Sequence, residues 1–120
     1  MAARIGVLTR KQARALDDLE RRGHPAAISS ITLWELAQMV ARGRLKIRIP
    51  LEAWLNDIES DPLLAVLPIT ARIAAEGVQL DAGFHKDPAD RIIVATARCH
   101  ALRLATADDR IHRWGKVPLI

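Results

Sequence analysis

Three short apolar runs, AAISS (residues 26–30), LLAVL (63–67) and LRLAT (102–106), are separated from one another by segments whose apolar residues recur at helical spacing. Runs this brief suit buried strands rather than buried helices. Parallel strands need crossover connections, which helices supply and tight hairpins do not. The pattern therefore sets the fold class as α/β, with a parallel sheet covered by helices on both faces.

The connecting segments can be placed one by one. Thr9 followed by Gln12 makes a capping box ahead of a helix over about residues 9–22, which Gly23 and Pro25 end. AAISS runs straight into a second helix, where Leu33, Leu36, Ala37 and Val40 form one stripe. After the connection RLKIRIP, a short amphipathic helix begins at Pro50 and stops before Pro62. Pro68, near the end of the second apolar run, marks a strand terminus or a sheet edge. A helix with Thr70 as its N-cap then covers about 70–81, and another covers 88–100. DDRIHRW forms about two helical turns, and KVPLI a last strand.

The stretch KDPADR (86–91) carries two carboxylates at a helix start. Asp87 before Pro88 is a good N-cap, and Asp90 falls at the third helical residue, where it meets the positive end of the helix dipole. Capping alone would account for both. Element lengths offer a second use. A helix over 88–100 advances about 20 Å at ~1.5 Å per residue, and the strand 102–106 travels back about 17 Å at ~3.3 Å per residue. Asp108 thereby returns near the level of Asp90. Glu35 lies in the first turns of the helix that AAISS feeds, so three carboxylates reach the carboxyl edge of the sheet, where open α/β folds place ligands.

Clustered carboxylates repel one another unless a cation neutralises them, and Mg²⁺ or Mn²⁺ is the natural choice for oxygen ligands. Each residue also has a plainer use: Glu35 on an exposed helix face, Asp108 or Asp109 as the cap of the short helix that follows. Arg91 is suited either to a phosphate or to a neighbouring carboxylate.

Other features narrow the function. With 18 basic and 14 acidic residues and a net charge of +4, the surface is mixed and compatible with nucleic acid without being polycationic. The basic residues of RGRLKIR could grip phosphates or line a solvated connection. No apolar run reaches the ~18 residues of a membrane span, and a chain with a lone cysteine, Cys99, reads as cytoplasmic. The four histidines lack metal-ligand spacing and read as loop and surface residues, with His85 bordering the acidic site. Glycine-rich phosphate loops are absent. A receiver-like signalling domain would need a phosphoacceptor aspartate after a central strand and a late lysine, for which only Lys116 is available.

Taken in order, ISSITLWELA, HKDPADRIIVATA, LRLATADDRI and WGKVPLI resemble the PIN domains of VapC-type toxins of bacterial toxin–antitoxin systems, from about residue 8 to 120. The resemblance implies one three-layer αβα domain over 1–120 and a Mg²⁺- or Mn²⁺-dependent ribonuclease. Its partners would be an RNA substrate, a cognate antitoxin and a second copy of the chain. It also implies that Glu35, Asp90 and Asp108 hold the metal, with Thr106 supporting them. One departure is plain. Such domains open with a hydrophobic strand ending in an aspartate, and MAARIGVLTR supplies neither. The expectation is a sheet without its central strand, in a chain truncated relative to the family. The alternative expectation is an impaired member that acts by binding antitoxin or RNA.

Overall fold

A computed structural model describes residues 2–3, 10–24, 26–106 and 108–120. In chain order the elements are β1 (Ala2–Ala3), α1 (Arg10–Arg21), β2 (Ala26–Ser29), α2 (Ser30–Ala41), α3 (Leu51–Glu59) and β3 (Leu64–Leu67), then α4 (Ala71–Gln79), α5 (Pro88–Cys99), β4 (Leu104–Ala105) and α6 (Asp109–Trp114). All strand pairs are parallel, in the order β3-β2-β1-β4, giving a sheet between helical layers. The α/β assignment and its element order follow the apolar runs read from the sequence.

The central place in the sheet, expected to be empty, is filled. Ala2 pairs with Ala27 on one side and with Leu104 on the other, and Ala3 pairs with Ala105. Two residues are enough to give β2 and β4 hydrogen-bonding partners, which two neighbouring buried strands require. The sequence pattern concealed this strand because a two-residue segment has no period to detect. KVPLI contributes less than a full strand. It makes a single parallel bridge, Leu104 to Leu119, with Leu104 N–H donating to Pro118 O and Ile120 N–H donating to Leu104 O.

Local chemistry explains the helix starts. The Ser29 hydroxyl accepts from Ile31 N–H, Thr70 Oγ1 accepts from Ile73 N–H, and Asp87 Oδ1 accepts from Asp90 N–H, with Pro88 at the first helical position. The capping box at α1 is different. Thr9 lies outside the described residues, and the buried Gln12 amide reaches across the fold, donating to Thr106 O at 2.8 Å. β3 is an edge strand, as Pro68 just beyond it suggested.

The core gathers around α5. Ile93, Val94 and Ala97 pack with Leu80, Phe84, Leu104, Ile111 and Val117. This packing fixes the N-terminal end of α5 relative to the end of β4. Chain order then creates a switch point: the strands run outward from β1 through β2 to β3, and the chain returns to place β4 on the other side of β1. Such a reversal opens a crevice at the carboxyl ends of the strands. Among the described residues no helix is long and apolar enough to cross a membrane.

Leu104 is fully buried at the point where β1, β4 and the C-terminal bridge meet. Leu104→Ala should therefore lower unfolding stability by about 2–5 kcal/mol, read as a lower urea midpoint at unchanged slope. A loss below ~1 kcal/mol would show that the bridge does not bury this side chain.

Candidate active site

The convergent groups gather beyond the end of β4 and at the head of α5. Asp90, in the first turn of α5, is completely buried, and its Oδ2 lies 3.4 Å from His85 Nε2 and 3.7 Å from an Arg110 terminal nitrogen. Asp108, the N-cap of α6, accepts from Arg110 N–H at 2.8 Å through Oδ1. The Arg110 guanidinium closes a fork on the same carboxylate, Nε on Oδ1 at 3.2 Å and Nη2 on Oδ2 at 2.9 Å. Donor atoms of His85, Asp90 and Asp108 lie within 4.8 Å of one another.

Each side chain is held by named contacts. Asp108 is aimed by the buried Thr106, whose Oγ1 accepts from Asp108 N–H at 3.1 Å, while Thr106 O is gripped by Gln12 and approached by His112 Nε2. The loop before α5 positions His85. Its ring stacks on Phe84 with centroids 4.5 Å apart, and its Nδ1 accepts from Asp87 N–H, turning Nε2 to the Asp90 side.

Arg91 holds the same loop from behind, donating to Phe84 O, His85 O and Gly77 O. From the other side, Asp81 accepts from Trp114 Nε1, Lys116 Nζ and Gly83 N–H, tying the loop to the residues after α6. Lys116 and Trp114 hold the Asp81 carboxyl well below the ordinary range, at about 2. The Arg110 fork lowers Asp108 likewise to about 2.

The structure thus brings two of the three predicted acids together and adds a histidine. Glu35 lies outside that trio. It stands half-buried on α2, in the wall of a groove of about 610 Å³ shared with Asp87 and Pro88 at the head of α5. Thr32, in the same wall, has a buried hydroxyl with no hydrogen-bond partner among the described residues. The Arg91 guanidinium donates to three backbone carbonyls, a bracing use that the sequence reading did not include. His85, expected among the loop and surface residues, is only 16% exposed and faces Asp90. The sequence reading gives Arg110 no role and Gln12 only that of a helix cap. A cue existed only for Arg110, which stands two residues after a capping aspartate.

A family model described as PIN domain matches residues 5–117. This chain belongs to the PIN domain family. Over 85 residues it is 38% identical to Ribonuclease VapC22 of Mycobacterium tuberculosis (strain ATCC 25618 / H37Rv), a match covering 71% of this chain and 64% of that protein, so less than two thirds of the relative is spanned. Among solved structures, a toxin–antitoxin complex from Klebsiella pneumoniae matches with a TM-score of 0.59 at 25% identity, over 92% of this chain and 82% of that one. VapBC2 from Rickettsia felis, bound to a DNA fragment from its promoter, matches with a TM-score of 0.66 at 21% identity, over 100% of this chain and 98% of that one. For this PIN domain the second match bears on the fold alone.

The two depressed carboxyls fix the direction of acid sensitivity. A carboxyl whose folded value lies near 2, below its ordinary 3.8, stabilises the fold fully above pH ~4 and loses that contribution as pH falls toward 2. The thermal midpoint should therefore drop between pH 4 and 2, and Asp81→Asn should make that drop shallower. An identical slope in Asp81→Asn would rule out the Asp81 contribution. Arg91→Lys, which cannot reproduce three carbonyl contacts, should destabilise by roughly 1–3 kcal/mol in urea unfolding.

Proposed function

We propose that this PIN domain is a metal-dependent endoribonuclease of the VapC toxin type, hydrolysing RNA phosphodiester bonds in the crevice beside Asp90 and Asp108. The observation that carries the reading is Asp90, a carboxylate with no exposed surface set within 4.8 Å of donors on Asp108 and His85 at the carboxyl end of a parallel sheet. Burying a carboxylate is expensive unless a cation offsets it, so the arrangement suits a divalent ion.

The donors fit such an ion. Two carboxylates favour Mg²⁺ or Mn²⁺, and Mn²⁺ also tolerates a nearby imidazole. Asp90 and Asp108 would hold it, with Glu35 contributing from the adjacent groove wall. When bound, the ion would polarise a phosphodiester oxygen and lower the pKa of a water. The chain's own residues do the rest. Thr106 and Gln12 keep the Asp108 arm in place, His85 sets its Nε2 3.4 Å from Asp90 Oδ2, and the packed α5 carries Asp90 on a rigid element.

A second reading has its own support. The first acidic residue of the chain is Asp17, inside α1, so β1 and the segment after it supply no carboxylate. A protein with this reduced acid set could act by binding a cognate antitoxin or RNA without cutting. A dimer of the chain is compatible with either reading.

The two separate in one experiment. RNA cleavage by the folded protein should require Mg²⁺ or Mn²⁺ and fall by roughly 10²-fold or more in Asp90→Asn. Full activity in Asp90→Asn would defeat the nuclease site proposed here. No cleavage by the folded wild type, together with retained antitoxin or RNA binding, would establish the binding role.

A further inference from the structure

Arg110 is the group at the crevice that the nuclease reading leaves without a task. Its guanidinium makes a two-bond fork with Asp108 and brings the same Nη2 to 3.7 Å from Asp90 Oδ2, so one cation sits against both carboxylates. The Arg110 side chain is 52% exposed and reaches the pair from the solvent side, while Asp90 has no exposed surface. Both Asp108 oxygens are engaged by the fork. A divalent ion entering between the two acids would need the same Asp108 oxygens and the same Asp90 oxygen that faces Arg110.

We infer that Arg110 is a built-in counter-ion that competes with the divalent cation, holding the two carboxylates together when no ion is bound and leaving them when one enters. Geometry makes the exchange feasible. The fork is anchored by an exposed, flexible stem and by one bond from the Arg110 backbone N–H to Asp108 Oδ1, which survives when the guanidinium swings out. A pair with one exposed partner is screened by water and readily broken. In the metal-free fold the guanidinium places positive charge beside the buried Asp90, a role the ion would take over on binding. Arg110 is on this account a positioning residue, acting through Asp90 and Asp108.

The inference rests on the metal-binding reading of the same site, and the test separates the two. Mn²⁺ is titrated calorimetrically into the full chain, wild type, Arg110→Ala and Arg110→Gln, each checked for folding by circular dichroism. Removing the competitor should tighten Mn²⁺ binding by roughly threefold to tenfold in both variants. The rise in thermal midpoint on adding Mn²⁺ should be larger in the variants than in wild type, since the ion then replaces a missing counter-ion. Arg110→Lys, which restores a charge at that position, should return the affinity toward the wild-type value. A residue that merely braced the loop would give weaker binding on removal. Unchanged or weaker Mn²⁺ binding in Arg110→Gln overturns the competition while leaving the metal site standing. No Mn²⁺ binding by any of these proteins overturns both.

Discussion

A carboxylate with no access to water, at the head of the most buried helix, is the constraint around which the rest of this fold is arranged. A carboxyl so placed needs polar company, and around Asp90 stand the N-terminal end of α5, the His85 ring at 3.4 Å and the Arg110 guanidinium at 3.7 Å. Each neighbouring group needs its own scaffold. His85 requires a loop held by Arg91 on one side and by Asp81 with Trp114 on the other. Arg110 requires Asp108, and Asp108 requires Thr106 and Gln12. Groups from α1, the loop before α5, and α6 are thus recruited around one charge.

Much of this could be read from the residues because the relevant signals were local. Asp87-Pro88 announced the start of α5, Thr70 that of α4, and the short apolar runs gave β2, β3 and the neighbourhood of β4. The approach of Asp108 to Asp90 followed from counting residues along a helix and back along a strand. That estimate depends only on rise per residue.

What escaped were side-chain contacts that no local pattern specifies. Gln12 looked like half of a capping box, yet its amide donates to a carbonyl 94 residues later. Arg91 looked like a phosphate or carboxylate ligand because it neighbours Asp90, but adjacent helical positions face different directions, and it donates to two loop carbonyls and to Gly77 O of α4. Glu35 was placed by a reach argument that fixes the level of a residue along its helix and leaves open which wall of the crevice it joins. The two-residue β1 was invisible because its role comes from its neighbours rather than from its composition.

The parallel bridge between Leu104 and Leu119 bears on how the site assembles. From Leu104 the chain passes through Asp108 and α6 and returns beside its own start after about fifteen residues, a small loop with little closure entropy to lose. The opposite edge of the same strand pairs with Ala2, almost the full length of the chain away. Among the strand pairings of the described residues, β4 therefore joins the shortest and the longest loop closures. The arm carrying Asp108 can form early and locally, whereas its meeting with the Gln12 helix awaits the slow, long-range docking on which contact order exacts its toll.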